Sequence, residues 1–75
     1  MAEYVRWALR RYAYSTVQAD VQKLKRCIRR YGRLEDLAYV AERVAEETDI
    51  SLGRKSSILN TLLRLAKFRG DQSPV

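Results

Sequence analysis

Apolar residues recur along the chain at intervals of three and four, a spacing that predicts helices rather than strands. In the second of four such stretches, Val17, Val21, Leu24, Ile28 and Tyr31 fall on one helical face. Similar stripes precede and follow it, and each is broad enough to pack against a neighbour. The predicted helices span about residues 2–13, 15–31, 34–48 and 55–69.

These stripes predict an all-α fold, a compact bundle of four short helices in one domain over residues 2–70. The tail, residues 71–75, has little to bury, so we expect it to be disordered. A chain of 75 residues buries only about 60% of its unfolded surface, so its stability depends on good packing or on a partner.

Polar residues mark the ends of the predicted helices. Ser15 and Gln18 have the spacing of a capping box at the start of the second helix, and Gly32 suits a left-handed stop at its end. Residues 49–57 read as a loop. Ser56 or Ser57 is then the cap of the last helix, whereas Asp49 or Ser51 could cap an earlier turn.

The charge is uneven along the chain. The net charge is +6, and eleven of the fifteen basic residues are arginine, whose planar guanidinium suits phosphate. Residues 1–33 hold nine bases and two acids, residues 34–49 one base and six acids, and residues 50–75 five bases and one acid. We therefore expect the acidic third helix to face away from a bound polyanion, to meet a basic surface, or simply to keep the protein soluble.

Several classes of function lack the residues they need. The chain has no histidine and one cysteine, so we expect no zinc site, no cofactor and no catalytic activity. We interpret Cys27 as a small buried hydrophobe in a cytoplasmic protein, the alternative being a reactive or cross-linking thiol. No apolar run of 18 residues and no signal peptide is seen, and we expect neither membrane binding nor a small-molecule substrate. Trp7 reads as a residue at the core edge, or as an exposed ring that stacks on a base.

A weak internal repeat relates the second and fourth helices. An offset of forty-one residues aligns Ser15 and Thr16 with Ser56 and Ser57, and it also aligns apolar and basic positions further along. Hydroxyls and free N–H groups at a helix N-terminus point at an incoming phosphate. We therefore expect the two amino ends to face one polyanion.

The same residues resemble a known family. Ser15-Thr16-Val17 opening the second helix, and Ser56-Ser57-Ile58-Leu59-Asn60 opening the last before Leu62-Leu63-Arg64-Leu65-Ala66-Lys67-Phe68, are similar to the core-binding, SAM-like domain of tyrosine recombinases and phage integrases. The resemblance covers about residues 3–70. It implies a domain that clamps duplex DNA with its second and fourth helices. The catalytic domain of that family, with its nucleophilic tyrosine, has no counterpart in this sequence. The resemblance therefore implies a DNA-holding domain that is either part of a longer recombinase or a small protein of its own, the catalytic function belonging to a recombinase partner or domain.

Carried over by position, the resemblance implies a set of DNA-contacting residues, to which Arg54 is added because it leads into the last helix. The predicted DNA-binding residues are Ser15, Thr16, Lys23, Arg26, Arg30, Arg54, Lys55, Ser56, Ser57, Asn60, Arg64 and Lys67. Asn60 or an arginine would make any base contact.

Two functions follow from the sequence. The first is a non-catalytic domain that binds duplex DNA; neutralising about six phosphates predicts a log–log salt dependence with a slope near −5. The alternative is a helical protein–protein interaction module that docks an acidic partner or self-associates. RNA shares the electrostatics, but the sequence shows neither a stacking sheet nor a glycine-rich clamp.

Overall fold

The helical periodicity of the sequence corresponds to four α-helices in the computed structural model, which describes residues 2–32 and 34–72. The helices are α1 (Ala2–Leu9), α2 (Tyr14–Tyr31), α3 (Leu37–Glu46) and α4 (Leu52–Gln72). Within these two ranges there is no strand, and the predicted all-α bundle of four helices is confirmed. No helix of this part of the chain is long and apolar enough to cross a lipid bilayer.

The central pair of helices is α2 and α4. Each contacts all three other helices, whereas the described residues of α1 and α3 do not contact each other. α1 therefore packs on the α2–α4 pair without touching α3. All four helices contribute to the core of the bundle, which is formed by Tyr4, Trp7, Ala8, Val17, Leu24, Cys27, Val40, Val44, Ile58, Leu62 and Leu65.

The buried face of α2 is rotated relative to the predicted stripe. Ile28 is 42% exposed, whereas Asp20, a carboxylate in the middle of the helix, is fully buried. The helix is rotated because α1 and α4 supply hydrogen-bond partners that allow Asp20 to be buried. The pattern of apolar residues alone does not show these partners. The fully buried residues of α2 are Val17, Asp20, Leu24 and Cys27.

Asp20 is the centre of a buried hydrogen-bond network. Its Oδ2 accepts from the Tyr4 hydroxyl at 2.9 Å, and its Oδ1 accepts from the Thr61 hydroxyl at 2.8 Å. Arg64 donates to both oxygens, from Nε at 2.7 Å and from Nη2 at 2.6 Å. One carboxylate thus joins α1, α2 and α4.

The network keeps Asp20 ionised inside the core. Burial raises the pKa of this carboxyl, but the hydrogen bonds from Arg64, Thr61 and Tyr4 outweigh that effect and hold the pKa below its ordinary value. The pKa of the Tyr4 hydroxyl is raised, first by burial and then by its hydrogen bond to Asp20, so Tyr4 stays protonated and remains a donor.

Trp7 and Cys27 are both buried. The indole of Trp7 is 7% exposed, packs 5.5 Å from the ring of Phe68, and donates from Nε1 to Asp71 Oδ2 at 2.8 Å. It is a core residue, and its ring is not available for stacking on a base. Cys27 is a buried hydrophobe as predicted, and burial raises the pKa of its thiol, which reduces its reactivity.

The first two helices differ from prediction at their ends. α1 ends at Leu9 rather than residue 13, because the chain turns there and the amides of Arg11 and Tyr12 both donate to the Ala8 carbonyl. The capping box predicted for α2 is wrong: Ala13 is the N-cap without a side-chain hydrogen bond. The predicted stop is confirmed, since Gly32 has φ of 81° and donates to the Ile28 carbonyl.

α3 and α4 begin at different residues than predicted. α3 is shorter at both ends than residues 34–48 and begins after Asp36, whose side chain accepts from the Tyr39 amide at 3.1 Å. α4 is longer than residues 55–69. The Ser51 hydroxyl accepts from the Arg54 amide at 3.2 Å, so the helix starts at Leu52 and most of the predicted loop is helical.

The predicted tail is partly helical. α4 continues through Gly70 to Gln72, and the carboxylate of Asp71 is held by Trp7 and by an ion pair with Arg11 at 3.4 Å. Through these contacts Asp71 packs against α1 and the turn that follows it, which the sequence did not indicate. The prediction of disorder is therefore wrong for residues 71–72. Residues 73–75 lie outside the described residues.

Replacing Asp20 tests how much the buried network stabilises the fold. Asp20→Asn keeps the shape of the side chain but leaves Arg64 without its counter-charge, and it should lower the free energy of unfolding by about 3–5 kcal/mol. Urea denaturation at neutral pH, followed by circular dichroism, measures the change. The matched control is Asp49→Asn at an exposed carboxylate, which should shift stability by about 0.5 kcal/mol or less. Equal effects of the two substitutions would contradict this role of Asp20.

Candidate nucleic-acid interface

A basic groove lies between α2 and the first two turns of α4. Its volume is about 650 Å³, and four of the eight side chains that line it are cationic while none is acidic. Such a cleft concentrates positive potential and attracts polyanions. The lining residues are Ala19, Gln22, Lys23, Arg26, Arg29, Arg54, Ser57 and Ile58.

The helical repeat brings these residues to one surface. On α2, Gln22, Arg26 and Arg29 follow each other at intervals of four and three, so they share a face that does not coincide with the buried one. On α4, Arg54 and Ser57 stand three residues apart in the first turns. The amino end of α4 adds the positive end of the helix dipole to the same groove.

Arg26, which lines this groove, has an unsatisfied donor. Its Nη1 is shielded from solvent and has no hydrogen-bond partner, and it is the only buried side-chain nitrogen or oxygen in residues 2–32 and 34–72 without one. A buried donor left unpaired costs about 1–3 kcal/mol. An anionic oxygen could satisfy it only after the side chain turned Nη1 towards the groove. The four cations, with no carboxylate among the lining residues, give the groove the chemistry of an anion site.

Part of the predicted DNA-binding set lies in the groove. Lys23, Arg26, Arg54 and Ser57 line it. The sequence placed Lys23 and Arg26 on α2, whereas it placed Arg54 in the loop before the last helix. Arg29 also lines it and was missed. The signal was available, because Arg29 follows Arg26 by three residues and therefore lies on the same face of α2.

Arg64 was predicted to contact DNA and does not face the groove. Its guanidinium makes two hydrogen bonds to the buried Asp20, and its Cζ lies 5.6 Å from the centroid of the Tyr12 ring. The hydrogen bonds to Asp20 raise the pKa of Arg64, so the charge is retained but is balanced within the protein. Two of its nitrogens are therefore used inside the protein, and Arg64 is not among the residues that line the groove.

Two further predicted bases are occupied within the protein. Arg30 donates to both carboxylate oxygens of Glu47, with a distance of 2.7 Å from Nη2 to Oε2, and lies 3.5 Å from Asp49. Lys55 donates from Nζ to the Ala45 carbonyl at 3.0 Å, next to the C-terminal end of α3. A cation is favourable at that end of a helix, so Lys55 has a structural role.

The remaining predicted residues lie away from the groove. Ser15 and Thr16 are in the first turn of α2, and the rise from Ser15 to Arg26 along the helix is about 16 Å. The start of α4 lies beside the later turns of α2, so the two amino ends do not meet in this groove. Ser56, Asn60 and Lys67 are exposed on α4 at helical spacing, outside the groove lining.

Comparisons with family models, curated proteins and solved structures found no match for this chain. The resemblance to recombinase core-binding domains therefore stays a prediction from the residues quoted for it. The described residues contain no cluster of three His, Cys, Asp or Glu side chains able to hold a metal ion.

The Arg30–Glu47 pair predicts an acid-dependent loss of stability. Hydrogen bonds from Arg30 lower the pKa of Glu47 to about 2 from 4.5, and the Tyr31 hydroxyl also donates to it. Because the folded state binds this proton more weakly than the unfolded state, the contribution of Glu47 is fully present above pH 4.5 and is lost as the pH falls towards 2.

Glu47→Gln should therefore flatten the decline of stability in that range. The measurement is a set of urea unfolding curves at several pH values from neutral down to the acid limit. Glu42→Gln, a matched substitution on α3, should keep the wild-type decline. An unchanged decline in Glu47→Gln would contradict the assignment of the lowered pKa to Glu47.

Proposed function

We propose that this protein binds duplex DNA without catalysing a reaction, and that it holds the phosphate backbone in the basic groove between α2 and α4. The observation that carries the proposal is the groove lining itself, in which Lys23, Arg26, Arg29 and Arg54 come together with no carboxylate among them. Phosphate oxygens supply both the negative charge and the hydrogen-bond acceptor that this arrangement lacks.

The distribution of carboxylates supports the same orientation. None lines the groove, whereas six acids lie between residues 34 and 49, in and around α3. DNA approaching the α2–α4 groove meets cations first. Phosphate contacts of this kind fix position and orientation on the duplex but do not read its sequence.

Gln22 is the neutral hydrogen-bonding side chain of the groove wall on α2. An amide side chain can pair with the edge of adenine in the major groove, and an arginine can pair with guanine. The sequence pointed to Asn60 for this role, but Asn60 is not part of the groove lining. We assign any base contact to Gln22 or to one of the groove arginines.

The resemblance to tyrosine recombinases supports duplex DNA as the partner. The domains of that family hold DNA while a separate domain cuts it. By this proposal the protein supplies the holding function, and a catalytic recombinase partner or domain performs the chemistry. Helices α2 and α4 remain the DNA-contacting elements, although the residues that make the contacts are fewer than the sequence predicted.

The salt dependence of binding tests the proposed groove. Four groove cations that neutralise about four phosphates predict a log–log slope of about −3.6, shallower than the slope expected from sequence because Arg30, Lys55 and Arg64 are occupied within the protein. Fluorescence anisotropy with a short labelled duplex measures it. Arg54→Ala should reduce the magnitude of the slope by about 0.9.

Charge-matched variants separate the groove from overall charge. Arg26→Glu should weaken duplex binding at least about tenfold, since it removes a charged donor and adds repulsion. Arg43→Glu changes the net charge equally but lies on α3, and it should have a much smaller effect. Equal losses would overturn the groove assignment. Tighter binding to polyglutamate than to the duplex would favour an acidic protein partner instead.

A further inference from the structure

A second groove, apolar rather than basic, lies between α3 and α4. Its volume is about 320 Å³, and each of its lining side chains is a leucine or an alanine. We call it the α3–α4 groove. Its walls include Leu37, Ala38 and Ala41 from α3, and Leu59, Leu63 and Ala66 from α4.

The two walls of the α3–α4 groove differ in shape. Leu63 is 67% exposed and projects from the α4 wall, whereas the α3 wall offers the small side chains of Ala38 and Ala41. A surface that carries a large apolar side chain next to a recess lined by alanines can be self-complementary. In a twofold pair, each Leu63 can enter the recess on α3 of the other copy.

The charges beside the two walls are also complementary. Glu42 and Glu35 are exposed on and just before α3, while α4 carries Lys67 on its outer face and no acidic residue from Leu52 to Gly70. A twofold pair that places α3 of one copy on α4 of the other brings opposite charges together. Placing α3 on α3 would oppose like charges, so the charge pattern selects the first arrangement.

We propose that the α3–α4 groove is the interface of a homodimer, with α3 of each copy packed on α4 of the other. Because the net charge is +6, two basic surfaces repel each other when copies of the chain approach. This repulsion is absent at the α3–α4 groove, where the acidic α3 of one copy faces the basic α4 of the other. Dimerisation also adds apolar burial to a chain whose own core is small.

The proposed interface is separate from the basic groove. Arg54 and Ser57 face α2 from one flank of α4, and Leu59, Leu63 and Ala66 lie on the flank next to α3. Dimerisation therefore leaves the DNA-binding surface open, and the dimer would carry two such grooves. The proposal does not rest on DNA binding and can fail or succeed independently of it.

Sedimentation velocity over a range of protein concentrations from roughly 5 to 500 µM tests the proposal. For the wild type we expect a species of twice the chain mass of 8.8 kDa. In Leu63→Glu the dissociation constant of the dimer should be at least about tenfold larger. Lys67→Glu should also weaken the dimer, since it sets a carboxylate against those of α3. The control Leu52→Glu changes a leucine that is 82% exposed outside the α3–α4 groove, and it should dimerise like the wild type.

A monomer at every concentration would overturn the proposal, as would a dimer that Leu63→Glu leaves intact. Because Leu63 is exposed, Leu63→Glu should retain the helical circular dichroism of the wild type. Arg26→Glu, the variant that tests DNA binding, should remain a dimer. Loss of the dimer in Arg26→Glu but not in Leu63→Glu would place the interface at the basic groove and refute the assignment.

Discussion

A single buried carboxylate, Asp20, joins α1, α2 and α4 in the core of this protein. Taking an ionised group out of water is costly, and the cost is offset only when hydrogen bonds and a counter-charge surround it. Tyr4, Thr61 and Arg64 supply them from α1 and α4. Three helices are thereby fixed in register, because a shift of one residue in any of them would separate the carboxylate from a partner.

This constraint also decides which cations can bind a ligand. Arg64 is used inside the protein, and Arg30 and Lys55 both bind the end of α3 or the connection that follows it. The bases that remain around the first turns of α4 line one groove with no carboxylate among them. The positive charge available to an anionic ligand is therefore local and smaller than the net charge suggests.

The fold class was predictable from sequence because the apolar spacing of three and four extends through most of the chain. The buried face of α2 was not, because a scale that counts apolar residues places Ile28 inside and Asp20 outside, and the structure does the reverse. The start of α4 was missed for a related reason. Ser51, Ser56 and Ser57 are equivalent caps in sequence, and only the fold shows that Ser51 makes the hydrogen bond.

The candidate site was predictable in part. Basic residues at helical spacing identified α2 and α4, but sequence cannot separate an arginine that faces solvent from one that neutralises a buried acid. Asp20 and Thr61 are separated by forty-one residues, the offset of the weak repeat, and their contact becomes visible only once α2 and α4 are packed together. Helix starts that look alike in sequence lie apart because α4 begins beside the later turns of α2.

The central claim has two parts: Asp20 binds Arg64 inside the protein, and the proposed DNA contacts are made by the basic groove between α2 and α4. NMR titration with a short duplex, observing backbone amides and arginine Nε–H groups together, tests it most directly. The account predicts shifts at Arg26, Arg29 and Arg54, with the Arg64 Nε–H unchanged. Shifts concentrated at Arg64 and at the first turn of α2, with the groove arginines unaffected, would contradict it.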